Sequence, residues 1–101
     1  MNRDILSVMK PSAVLINTSR GPVVNEADLA QALNSEKIAA AYLDVLEKEP
    51  MSPDTPLKTV KNCTITPHTA WAAYETRSRL VDIVCANIRA WLGGNPQNKV
   101  N

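Results

Sequence analysis

Apolar residues fall along this chain in short unbroken runs and in helical stripes, and the two patterns alternate. A continuous apolar run of strand length suits a parallel strand covered on both faces. Residues 13–18, 38–45 and 63–66 are therefore predicted to be strands. Between the first two lies Asn25-Glu26-Ala27-Asp28, which supplies an N-cap and two acidic residues where the helix dipole favours them. Leu29, Ala32 and Leu33 then recur at helical spacing through about Ser35. Strand, helix and strand over this length predict a right-handed crossover with the two strands parallel.

The same pattern defines the other segments. Residues 3–9 carry Ile5, Leu6, Val8 and Met9, which suits a short helix stopped by Lys10-Pro11, since a residue before proline is pushed out of the helical region. A start at Met1 almost directly on a helix suggests that something is missing upstream. Residues 47–61 hold Pro50, Pro53 and Pro56 and few apolar positions, so they read as a long loop of the kind that carries function. The longest periodic element spans residues 74–92, with Leu80, Val84, Ile88 and Trp91 on one stripe and Val81 and Cys85 beside it. Gly93-Gly94 should end that helix. Residues 95–101 show no period. The fold class is α/β, about three parallel strands followed by a long C-terminal amphipathic helix, within one domain over residues 1–101.

Composition narrows the function classes. A chain of 101 residues with a formal net charge of +1 and no long basic run gives no sign of a nucleic-acid or membrane-surface partner. No apolar stretch reaches the ~18 residues of a membrane span, and the N-terminus lacks the core of a secretory signal. Cys63 and Cys85 are too few and too far apart for a disulfide framework or a metal site. They are expected to be buried, reduced thiols, in keeping with a cytoplasmic protein.

Candidate chemistry sits at the strand ends, where open α/β sheets hold their ligands. The first run ends in Asn17-Thr18-Ser19-Arg20-Gly21, and Arg20 there offers a bidentate carboxylate site. The second leads through Asp44 to Glu47 and Glu49. The third leads through Thr66-Pro67 to His68, the one histidine and the best general acid–base candidate. Such a histidine would gain from an orienting carboxylate, and Asp44, Glu47 and Glu49 are all within reach in the sequence. Asp44, inside an apolar run, must find a hydrogen-bond partner, either a backbone amide or a ligand's amide. With only Gly21, Gly93 and Gly94, the sequence has no G-x-G-x-x-G cradle and no P-loop.

The stretch Met9-Lys10-Pro11-Ser12-Ala13-Val14-Leu15-Ile16-Asn17-Thr18-Ser19-Arg20-Gly21, then Leu43-Asp44-Val45 with Glu49-Pro50, then Thr66-Pro67-His68, resembles the D-isomer-specific 2-hydroxyacid dehydrogenases. The likeness runs from Arg3 to the closing Asn98–Asn101 tail. The segment from Asn17 to Glu26 and Trp71 look most like glycerate dehydrogenases, also called hydroxypyruvate reductases. The resemblance implies the C-terminal half of a Rossmann-type doubly wound parallel sheet, with the glycine-rich half and the substrate domain absent. It implies NAD or NADP as cofactor of the complete enzyme and a small 2-keto or 2-hydroxy acid as substrate; the unpaired edge of a half-sheet and a long helix without the body it would cover then predict a homo-oligomer. It gives Arg20 the substrate's carboxylate and keto oxygen, makes His68 the proton donor, and makes Glu49 the partner that raises the histidine's pKa. It assigns Asp44 to the nicotinamide carboxamide. Thr18, Ser19 and Arg20, with the turn His68, Thr69, Ala70 and Trp71, would line the nicotinamide end of the cofactor. Lacking a phosphate cradle, the isolated chain is expected to be inactive, and the alternative is a self-associating or partner-binding module.

Overall fold

The computed structural model describes residues 1–100; Asn101, the last residue of the tail, lies outside the described residues. The chain forms two compact units, Met1–Ala70 and a second from Trp71 onward. In the first unit the elements are α1 (Arg3–Ser7), β1 (Val14–Asn17), α2 (Glu26–Asn34), β2 (Ala40–Leu43) and β3 (Cys63–Ile65). Both strand pairs are parallel, and β2 is central in the order β1-β2-β3. Each predicted strand is present but shorter than its apolar run. Asp44 falls just past the end of β2, where its N–H still donates to Asn17 O at 2.9 Å.

Local chemistry accounts for the helices. Asn25 caps α2 by accepting from the Asp28 N–H at 2.9 Å, and Glu26 and Asp28 occupy its first turn. Helix α1 ends at Ser7, two residues before the predicted stop, because the Val8 and Met9 amides tighten onto Ile5 and Leu6 carbonyls. It is tied to α2 through Arg3, whose N–H donates to Asp28 and whose guanidinium donates to Gln31.

Leu29, Ala30 and Leu33 of α2 join Leu15, Ala41 and Leu43 of the sheet in one buried cluster. Leu29 and Ala41 have no exposed surface at all. Truncating Leu29 to alanine would therefore carry the usual ~2–5 kcal/mol of a buried leucine.

The opposite sheet face differs from expectation. Burial alternates along β1, leaving Val14 and Ile16 exposed, and Tyr42 of β2 is half exposed beside them. The apolar runs predicted strands covered on both faces, and only one face is covered. The long loop after β2 is tied to α2. Glu26 reaches over from α2 to accept from the Glu47 N–H and the Thr55 hydroxyl, each at 2.8 Å. A 3-10 turn, Pro56–Thr59, then buries Leu57 in the core.

The second unit is built on α3 (Tyr74–Leu92), whose bounds match the predicted period. Gly94 takes a φ of +77°, the left-handed conformation glycine reaches without strain, and the Gly94 and Asn95 amides close onto Trp91 and Ala90 carbonyls. None of the α3 residues is buried, so its apolar stripe is uncovered. Cys63 and Cys85 are free but only half-buried, short of the predicted full burial. The reason is positional: Cys63 starts an edge strand and Cys85 lies on the uncovered helix.

Candidate active site

The carboxyl ends of the three strands carry the polar residues singled out by the sequence. At the end of β1, Asn17 is buried and its side chain organises the next three residues. Its amide donates to Arg20 O at 2.9 Å, while its Oδ1 accepts from the Ser19 N–H at 3.1 Å and the Ser19 hydroxyl at 2.8 Å. Thr18, Ser19 and Arg20 thus form a loop wrapped on one buried amide. Arg20 is exposed, and its guanidinium donates only to the neighbouring Ser19 carbonyl at 2.7 Å. No carboxylate among the described residues pairs with it. Gly21 comes next, so close to the Leu46–Glu47 backbone that any Cβ would overlap it.

Past β2 and β3 the geometry is tighter. His68 Nδ1 lies 2.7 Å from Glu49 Oε2, and the other Glu49 oxygen accepts from the Leu46 N–H at 2.9 Å. Of the three carboxylates open to the histidine, Glu49 is the one placed against it. Glu47 instead contributes its backbone N–H to Glu26. The Leu46 amide, and then the His68 ring, hold the Glu49 carboxyl below its ordinary value. An ionised carboxylate accepts only, so the Nδ1 position carries the proton and Nε2 is left for a ligand.

Asp44 is buried and satisfied within the protein. Its Oδ1 accepts from the Thr66 hydroxyl at 2.5 Å and the Thr69 N–H at 2.9 Å, and its Oδ2 from the Ala70 N–H at 2.8 Å. The Thr66 hydroxyl leads these amides in keeping the Asp44 carboxyl ionised below the usual range, against the opposing effect of burial. Backbone amides are thus among its partners, and the Thr66 hydroxyl joins them. Asn17 and Thr66 are the two organising residues that reasoning about charge passed over. Each is a polar side chain closing an apolar run, and that signal is visible in the sequence.

A cavity of about 730 Å³ opens beside this pair, with Leu46, Met51, Leu57, Val60 and Ile65 among its walls. Asp44, Glu49 and His68 reach it and Arg20 does not. Burial pushes the Cys63 thiol on its wall up, which makes it a poor nucleophile. Trp71 belongs to the second unit, where the Arg77 guanidinium lies 6.0 Å from its ring centre. Among the described residues no His, Cys, Asp or Glu cluster could hold a metal ion, and no helix is long and apolar enough to cross a membrane.

The acid response of this site is set by the two lowered carboxyls. Above their ordinary values of 3.8 and 4.5, folded and unfolded chains are both ionised and the hydrogen bonds contribute in full. As pH falls through those values the unfolded chain protonates first, and stability is lost until the lower folded values are passed. The Asp44 and Glu49 carboxyl carbons are expected to show their protonation shifts only in solution more acid than 3.8 and 4.5 respectively. A protonation shift of either carbon above those values would contradict these carboxylate contacts.

An open parallel sheet with such groups at its strand ends defines a Rossmann-type α/β protein. Residues 1–70 match the NAD binding domain of the D-isomer specific 2-hydroxyacid dehydrogenases, and the chain belongs to that family. It is 48% identical over 101 residues to a hydroxypyruvate reductase of Blautia hydrogenotrophica, covering all of this chain and 31% of that protein. It is 50% identical over 95 residues to the human glyoxylate reductase/hydroxypyruvate reductase, covering 94% and 29%. The chain therefore spans about a third of the length of these relatives. A solved D-isomer specific 2-hydroxyacid dehydrogenase from Xanthobacter autotrophicus Py2, in complex with NADPH and MES, superposes with a TM-score of 0.81 at 43% identity, covering 100% of this chain and 41% of that one. An acyclic imino acid reductase in complex with NADPH and D-Arg superposes with a TM-score of 0.82 at 36% identity, covering 98% and 31%.

Proposed function

We propose that this chain is the C-terminal part of the cofactor-binding domain of an NAD(P)-dependent D-2-hydroxyacid dehydrogenase that reduces a small 2-keto acid such as hydroxypyruvate or glyoxylate. The Glu49–His68 pair at the carboxyl end of the sheet is the observation that supports this most. Arg20 binds the substrate's carboxylate, its fork unclaimed by any acid among the described residues. His68 delivers a proton from Nε2 to the carbonyl oxygen, while Glu49 fixes the ring through Nδ1 and faces the positive charge of the imidazolium.

The fit to a dinucleotide is good at one end. Asp44 Oδ2 accepts a single N–H and keeps a lone pair that a carboxamide could use. Thr18, Ser19, Arg20, Asp44 and the turn from His68 through Thr69 to Ala70 would hold the nicotinamide end. The pyrophosphate has no glycine-rich cradle within this sequence. NADH or NADPH, when bound, supplies the two-electron reduction that the side chains cannot.

The isolated chain, mixed with NADH and hydroxypyruvate, is expected to leave the cofactor's absorbance constant. Substituted for the matching stretch of the Blautia hydroxypyruvate reductase, it is expected to restore turnover. A folded, cofactor-binding chimera without activity would count against the reading. Self-association belongs to the same proposal, because β1 and β3 each pair on one side only and Val14, Ile16 and Tyr42 stand exposed between them. Sedimentation should find a dimer or higher species, and a monomer at high concentration would refute it.

A further inference from the structure

His68 adopts a φ of +54°, in the left-handed region that few residues other than glycine occupy, although histidine enters it more readily than most. Something must hold it there, and the donors that bracket it all converge on one acceptor. The Thr66 hydroxyl, two residues before His68, and the Thr69 and Ala70 amides just after it all donate to Asp44. Within the turn, the His68 N–H donates to Thr66 O at 3.0 Å. The Thr66 N–H in turn donates to Leu43 O at 2.9 Å, so the turn is joined both to the last residue of β2 and to Asp44 just past it.

We infer that Thr66, acting through Asp44, is a positioning residue that sets the backbone of the histidine turn so that the His68 ring meets Glu49. This deepens the proton-donor reading of His68 and rests on it. The division of labour is plain in the geometry. Glu49 holds the ring at Nδ1, and the Thr66–Asp44 pair holds the backbone from which the ring projects. A backbone rotation that relaxed the positive φ would carry the ring away from Glu49. Asp44 opposes that rotation because its two oxygens are bound to both sides of the turn. Valine at position 66 would match threonine in shape yet donate nothing, whereas serine would keep the hydroxyl.

The full 101-residue chain provides the test, since His68 is its single histidine and gives one imidazole signal. In Thr66→Val, the Thr69 and Ala70 amides should exchange about tenfold faster or more, the scale expected when a hydrogen-bonded charged network loosens. The Nδ1–H resonance shared with Glu49 should broaden or vanish, while the Leu29 amide in α2 keeps its protection. Thr66→Ser should restore both signals, which a purely packing role for the threonine methyl would not predict. A folded Thr66→Val chain that keeps the Nδ1–H signal and the amide protection overturns the inference.

Should Thr66→Val unfold, the wild-type chain decides by acid titration. The Thr69 and Ala70 backbone signals should show a step at the midpoint of the Asp44 carboxyl carbon, and the absence of that step would overturn the inference. The two levels fail differently. Loss of the ring signal in Thr66→Val with full turnover of a His68→Gln chimera removes the proton-donor reading and leaves the clamp. The reverse result removes the clamp alone.

Discussion

His68→Gln in the active chimera is expected to lower kcat by roughly 10²–10⁴-fold while leaving KM little changed. Glutamine keeps a donor near the carbonyl oxygen but cannot release a proton to it. The split between the two constants is the informative part. A fall confined to KM would assign His68 to substrate binding and leave the proton to another group. Glu49→Gln should show the same pattern more weakly, because it leaves the imidazole present and removes only the carboxylate at 2.7 Å. Steady-state kinetics with hydroxypyruvate and glyoxylate would measure both.

Gly21→Ala should have the largest effect on stability. A Cβ there would lie 1.8 Å from Leu46 O, 2.0 Å from its carbonyl carbon and 2.4 Å from Glu47 N. All three are backbone atoms, so no side chain can rotate aside. Relief requires separating the Arg20 loop from the segment after β2, at the upper end of overpacking costs, about 3 kcal/mol or more. In a chain of this size that is a fall in Tm of roughly 10–20 °C. The strain would also reach the site, since Leu46 carries the N–H that holds Glu49. An alanine variant melting within about 2 °C of the parent would show that the two segments separate freely.

Most of the architecture was legible because its signals are local. Asn25 with Glu26 and Asp28 marks the start of α2, and Gly93-Gly94 marks the end of α3 to the residue. Strand lengths were less legible, because an apolar run continues into buried loop positions such as Ile38 and Val45 that pair with nothing in the ladder. The exposure of Val14, Ile16 and Tyr42 could not be read from their hydrophobicity, since an apolar residue looks the same whether its partner is present or absent. Strand-end position and residue type singled out Arg20, Asp44 and His68, of which the fold brings Asp44 and His68 to one cavity and leaves Arg20 outside it. Choosing Glu49 over Glu47 needed either the family resemblance or the fold, because two glutamates separated by one residue are equivalent to any periodicity. Asn17 and Thr66 escaped notice because they carry no charge, and their work is done by hydrogen bonds that only the folded chain reveals.

The grip of Glu26 on Glu47 and Thr55 would bear on the speed of the proposed proton transfer. It closes the arc of chain that contains Glu49, so the freedom of that arc is lost once, on folding, and not again at each encounter with substrate. Glu49 then waits at the histidine with its orientation already settled. A carboxylate so prepared adds no reorganisation to the barrier when charge develops on the ring. On the proposed role of His68, an acidic residue on the first turn of α2 would thus contribute to proton transfer through the backbone it holds.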